Sequence, residues 1–332
     1  MIQASANDVG DTSPTAEFAA ARRDWKSAGL LMRACRSFLL TPGSRPDTFR
    51  AGPAAGWDAI IVDLESTVAP EDKQRSRENA LAWVREPAAE NLIRIIRINS
   101  PRSITGLRDL LALHESGGEP DAIIIPKCES ADELRLVADL LDGAQSGIGI
   151  IPMVELARAV FVADQIAAAH PRVCGLFLGG GDLAADLGAE GSWENLLFAR
   201  SRIVAVAATT GIASIDVPYF KSDEAGLRGE AVASRKLGMT GKAALHPDQL
   251  TAINTVFTPS KEAITKARLV AGAWRSGGTS APVLNGHVVE PATIREAERV
   301  LAIASRMQLQ TTQESANAPA STRRQGVAAG NT

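Results

Sequence analysis

Eight short apolar runs rich in Ile, Val and Leu recur down the middle of the chain: RSFLLTPG from Arg36, AIIVDLE from Ala59, LIRIIRIN from Leu92, AIIIPK from Ala122, GIGIIPMVE from Gly147, CGLFLGGGD from Cys174, ASIDVPY from Ala213 and GKAALHP from Gly241. Runs of this length without strict alternation predict strands buried on both faces, as in a parallel sheet covered by helices. The segments between them carry helical spacing, and a repeat of roughly 30 residues fits the βαβ unit. Together they predict an α/β fold, a (β/α)8 TIM barrel over residues 35–258. Active sites of such barrels lie at the C-terminal ends of the strands. That rule places Asp63, Glu65, Arg97, Lys127, Glu155, Asp182, Asp216 and His246 around one opening.

The flanks divide into three pieces. Residues 1–34 read as a polar arm, helix-like around AEFAAARRDW. Residues 259–307 read as a C-terminal helical extension and lid. It contains PSKEAITKARLVAGAWRS with a Ser260 cap and Glu262 in the first turn, a hinge at Gly277 and Gly278, a hairpin VLNGHVVEP turning at Asn285 and Gly286, and the amphipathic ATIREAERVLAIASRM. Such an extension needs a surface to pack on, which predicts a homo-oligomer, a trimer or hexamer, although a cap on the same chain satisfies the pattern too. Residues 308–332 lack apolar periodicity and are expected to be disordered.

Composition narrows the function. Of 332 residues, 45% are hydrophobic and 22% charged, enough for a large core. A net charge of −3 and 4% aromatics give neither a basic stripe nor base-stacking surface, which argues against nucleic acid. No run reaches the roughly 18 apolar residues of a membrane span. Cys35, Cys128 and Cys174 are odd in number and form no CxxC pair, and the N-terminal segment lacks the pattern of a secretory signal, so a reduced cytoplasmic setting is expected.

Glu155 and Asp182 follow adjacent strands, whose spacing is about 4.8 Å, so their carboxylates can converge on one cation. Hard oxygen ligands with open positions suit Mg²⁺, or Mn²⁺, better than zinc. Taken singly, each is equally a helix cap or an ion-pair partner. Arg97 ends the third run, where its fork can grip a carboxylate or stabilise an oxyanion, or else pair with Asp63 or Glu65. Asp63 and Glu65 point to the same side of their strand; one can orient Arg97 while the other holds metal-bound water. Lys127 is read as a Schiff-base candidate or as an ion-pair partner of Glu129 or Glu155. Three successive glycines in FLGGGD let backbone approach a ligand closely, which makes Gly181 a candidate substrate contact, with Pro218 after the seventh run and Arg36 beside the first. His246 reads as a packing residue at the barrel mouth. HExxH, GxSxG and P-loop patterns are absent from the sequence.

The pieces RSFLLTPGS, DAIIVDLES, IRIN with GLRDL, IIIPKCES, IPMVEL, LFLGGGDLAADLG, GIASIDVPY and GKAALHPDQLTAINTVFTPSKEAITKA occur in an order and spacing that resembles the HpcH/HpaI aldolase and citrate lyase family. The likeness is to the branch of the citrate lyase β subunit and the malyl- and citramalyl-coenzyme A lyases, over roughly residues 36–306. It implies Mg²⁺ held by Glu155 and Asp182, and Arg97 on the substrate oxygens. It also implies cleavage, or the reverse condensation, of a carbon–carbon bond in a short β-hydroxyacyl-CoA thioester. The family's coenzyme A lyases add an aspartate from a neighbouring subunit's C-terminal segment; the matching position here is Glu290. Ser66 in DLES stands where many relatives have a second acid. The alternatives are metal-dependent aldol cleavage of free hydroxy-oxo acids, and a non-catalytic acyl-thioester or carboxylate-binding subunit of a complex.

Overall fold

The computed structural model describes residues 29, 31–51, 56–87, 92–118, 120–143, 147–276, 283–284 and 287–317. All eight apolar runs become strands: β1 (Ser37–Pro42), β2 (Ala59–Asp63), β3 (Ile93–Arg97), β4 (Ala122–Ile125), β5 (Gly149–Val154), β6 (Gly175–Leu178), β7 (Ala213–Asp216) and β8 (Gly241–Ala244). Each pairs in parallel with the next, and β8 pairs with β1, closing the barrel. Alternate residues face opposite ways. One set, including Phe38, Ile61, Ile95, Ile124, Ile151 and Phe177, fills the barrel interior. The other, including Ile60, Ile96, Ile123 and Ile150, packs outward in a common core with residues of the surrounding helices.

Those helices are α1 (Pro46–Ala51), α2 (Lys73–Arg85), α3 (Ile104–Ser116), α4 (Ala131–Gly143), α5 (Ala157–Phe161), α6 (Ala163–Ala167), α7 (Gly180–Asp186), α8 (Leu197–Thr210), α9 (Glu224–Leu237) and α10 (Leu250–Phe257). Their ends obey local rules. Ser103 caps α3 by accepting from the Gly106 N–H, Asp223 caps α9 by accepting from the Gly226 N–H, and both helices stop at left-handed glycines, Gly117 and Gly238.

Asp216, assigned above to the mouth, and Arg36, named above as a candidate substrate contact, lie elsewhere. Asp216 ends β7 but belongs to the outward set: its carboxylate accepts from Arg200 Nε at 2.9 Å on α8 and from Lys242 Nζ at 3.0 Å on β8. Arg36 precedes β1 and so sits at the opposite, N-terminal end of the barrel. Its Nε and Nη2 both lie 2.9 Å from the Asp58 carboxylate, and its Nη1 donates to Thr258 Oγ1 at 2.8 Å, so the guanidinium is engaged in closing the barrel floor.

The C-terminal extension folds as its sequence pattern indicates, with α11 (Lys261–Ser276), the two-stranded pair β9 (Val283–Leu284) and β10 (His287–Val288), and α12 (Pro291–Asn317). Ala267, Val270, Val289, Ile294, Ala297 and Val300 form a small core of its own. Its connection to the barrel is unlike a lid over the mouth: Arg306 of α12, 1% exposed, donates to the Asp58 carbonyl at the floor. α12 also continues to Asn317, so residues 308–317, expected to be disordered, are helical. The helix-like stretch of the N-terminal arm, the glycine hinge and the Asn285–Gly286 turn lie outside the described residues.

Candidate active site

Asp63 and Arg97 are Cα partners at the ends of β2 and β3, and both belong to the inward set. Arg97 Nε donates to Asp63 Oδ1 at 2.6 Å and Nη2 to Asp63 Oδ2 at 2.7 Å, a bidentate fork with both side chains buried. Nη2 also donates to Ser66 Oγ at 2.6 Å, and Nη1 lies 3.5 Å from Glu65 Oε2. Burial disfavours charge on both partners, yet their mutual attraction outweighs it: the Asp63 carboxyl is held below its usual range and the Arg97 guanidinium above. Arg97 therefore presents a fixed positive charge.

The turn holding Glu65 has its own supports, which sequence reasoning missed. Thr67 caps Asp63 through its N–H at 2.9 Å and its hydroxyl at 2.5 Å. Lys73 Nζ donates to the carbonyls of Leu64 and Glu65 and, at 2.9 Å, to Asn99 Oδ1. Asn99 Nδ2 donates to Leu64 O and to the buried Asp109. Asn99 lies two residues past an inward arginine in IRINS, a positional signal; Lys73 lies in a charged helix start and carries none.

Glu155 follows β5 and is 1% exposed. Gly179, at the end of β6, leaves room for it: a Cβ there would lie 2.4 Å from the Glu155 Cβ. Asp182 is exposed and comes from the first turn of α7, not from the strand end itself. The two carboxyl groups are close enough to act on each other's charge. Burial first, and then the Asp182 carboxylate, push the Glu155 carboxyl up to about 7, against the lowering effect of the Lys127 N–H. Two facing carboxyls that must otherwise share a proton fit a divalent cation, which would replace that proton with two charges. Among the described residues no group of three or more His, Cys, Asp and Glu is disposed to hold a metal, so the pair would be completed by water or substrate oxygens.

Between the two halves lies Lys127. Its Nζ donates to Glu65 Oε1 at 2.8 Å and its backbone N–H to Glu155 Oε1 at 2.6 Å, while the alternative partner Glu129 is paired with Arg102. Gly181 is exposed, with open space where a side chain would be, and Pro218 is buried just past β7. His246 is exposed and caps a short turn with Gln249. Glu290 precedes α12, where its carbonyl accepts from the Thr293 and Ile294 N–H groups; its exposed side chain stands on the extension, outside the mouth network. Arg36 is not brought to this site.

Residues 36–247 match the model of the HpcH/HpaI aldolase/citrate lyase family. An L-malyl-CoA/beta-methylmalyl-CoA lyase of Rhodobacter capsulatus is 34% identical over 296 residues, covering 80% of this chain and 93% of the relative. A (3S)-malyl-CoA thioesterase of Cereibacter sphaeroides is 34% identical over 274 residues, with the same coverage of 80% and 93%. Among solved structures, CitE of Mycobacterium tuberculosis in complex with magnesium, acetoacetate and coenzyme A superposes with a TM-score of 0.64 at 29% identity, covering 82% of this chain and 99% of that one. The fold, the inward Asp63–Arg97 fork, the facing Glu155 and Asp182 and these likenesses agree: the chain belongs to the HpcH/HpaI aldolase/citrate lyase family.

Proposed function

We propose that this protein is a Mg²⁺-dependent carbon–carbon lyase that cleaves a short β-hydroxyacyl-CoA thioester of the malyl, citramalyl or citryl type into a 2-oxo acid and an acyl-CoA, or runs the reverse condensation. The observation that carries this reading is the convergence of Glu155 and Asp182 at the barrel mouth, with the Arg97 guanidinium fixed across from them by Asp63. Glu155 and Asp182 would hold Mg²⁺, and Mn²⁺ by the same chemistry. When bound, the ion supplies Lewis-acid polarisation of the oxygen at the cleaved carbon.

Arg97 grips the carboxylate or carbonyl oxygen of the oxo-acid half and offsets negative charge as the bond breaks. The hydroxyl proton leaves, the carbon–carbon bond breaks, the oxo acid keeps its new carbonyl, and the acyl enolate takes up one proton on carbon; no water is consumed. Glu65 is near enough to Arg97 to orient it from the solvent side. The open space at Gly181 and the buried Pro218 border the room for substrate. Glu290, exposed on the extension, is the proposed proton donor to the enolate, supplied by a neighbouring copy in a trimer or hexamer. Cytoplasmic residence is proposed with it: the three cysteines are buried and free, and among the described residues no helix is long and apolar enough to cross a membrane.

Product analysis tests this directly. With malyl-CoA and Mg²⁺, trapping should find a 2-oxo acid and acetyl-CoA in equal amounts, abolished by chelator and restored by Mg²⁺. The similarity to a malyl-CoA thioesterase supports a second reading, hydrolysis, which would release free coenzyme A and a hydroxy acid with no oxo acid. Turnover of free hydroxy-oxo acids with no response to thioesters would replace both.

A further inference from the structure

Among the described residues Lys127 is the only non-glycine with a positive φ, +53°. It follows Pro126, and Pro followed by a positive φ is the pattern of a type II turn, whose third position is ordinarily glycine or asparagine. A side chain with a Cβ is strained in the left-handed region, and such strain persists where surrounding structure requires it. Here that conformation turns the Lys127 N–H onto Glu155 Oε1, while Nζ reaches over to Glu65 Oε1.

We infer that Lys127 is a positioning residue joining the two halves of the mouth: its left-handed backbone sets the direction of the Glu155 carboxylate, and its ammonium sets that of Glu65 beside Arg97. The inference rests on the lyase reading above and goes beyond it. Glycine would satisfy the turn without strain but could perform only the backbone task, and less firmly. Lysine performs both. With Oε1 occupied by the N–H, Glu155 is left with Oε2 for the space shared with Asp182, and Gly179 is the backbone that borders that oxygen. Fixing a ligand by an outer hydrogen bond in this way is how metal sites hold their geometry.

Two variants separate the tasks. Lys127→Met keeps the strained backbone and removes the ammonium, whereas Lys127→Gly removes both ammonium and restraint. Mn²⁺ binding is measured by titration calorimetry, the steady-state constants with the CoA thioester, and the melting temperature without metal. Lys127→Met should lower kcat about tenfold with little change in KM. It should bind Mn²⁺ no more weakly than wild type, because a nearby cation has gone. Lys127→Gly should share the kcat loss, bind Mn²⁺ about tenfold more weakly than the methionine variant, and melt no lower than wild type in the absence of metal. A residue that only braced the fold would lower melting and leave these contrasts absent. Equal Mn²⁺ affinity in the two variants, or a methionine variant with wild-type kcat, overturns the inference alone. Wild-type protein that binds no Mn²⁺ overturns the lyase reading, and the inference with it.

Discussion

Glu155 shows how a single buried carboxyl reports on the acid it faces, Asp182. Its ordinary value of 4.5 is raised to about 7, by burial and then by Asp182, so the metal-free folded chain holds a proton that the unfolded chain releases. Stability from that difference is complete below about pH 4.5 and is lost as pH rises toward 7. The metal-free protein should therefore lose melting temperature across this interval through this group, and the slope should flatten in Glu155→Gln; a slope unchanged by the substitution would place the titration elsewhere. Saturating Mg²⁺ should flatten it too, because metal binding requires the ionised form. The residue types at this site were legible in the sequence: Asp63 shares the parity of Ala59 and Ile61, and Arg97 that of Ile93 and Ile95, the set that fills the barrel. Asp216 has the opposite parity, and the sequence does not mark which parity is the inward one. In a strand buried on both faces either parity is apolar, and nothing in ASID says that Ala213 and Ile215, not Asp216, face inward. The left-handed Lys127 was marked only by its preceding proline.

Strands and helices were the most legible elements, because each has a period and a boundary. Which end of a strand a flanking residue occupies decides its role. Arg36 and Asp63 are both polar neighbours of apolar runs, yet one precedes its strand and closes the floor while the other terminates its strand at the mouth. The floor cluster unites β1, the entry to β2, the end of α10 and α12 through Asp58, which is fully buried and engages Arg36 and Arg306. Burial raises the Asp58 carboxyl's proton affinity, but the two arginines bring it down to about 2 from 3.8. Its contribution is thus present above about pH 3.8 and lost as pH falls toward 2. Removing one member leaves an uncompensated buried charge, so Asp58→Asn should cost about 3–5 kcal/mol in denaturant unfolding. A loss below about 1 kcal/mol, the level of an exposed pair, would show that the cluster does not tie the extension to the barrel.

The molecule as a whole places its candidate active site at one end of a closed barrel and its structural lock at the other. Closure was legible because the runs are eight in number and recur at roughly the length of a βαβ unit. The docking of α12 was not, since Arg306 and Asp58 stand 248 residues apart and neither belongs to a periodic pattern that names the other. This division explains how the extension can be anchored through the floor while Glu290 stays exposed, as the role proposed for it requires. The proposed function depends above all on Glu155 and Asp182 acting as one cation site. Mn²⁺ titration followed by electron paramagnetic resonance, on wild type and on a Glu155→Gln, Asp182→Asn double variant of equal melting temperature, measures this without reference to any substrate. One ion per chain should bind to wild type, with affinity reduced at least about a hundredfold in the double variant, since losing both ligands should cost no less than losing an outer hydrogen-bond partner of one. Undiminished Mn²⁺ binding by the double variant would contradict the account.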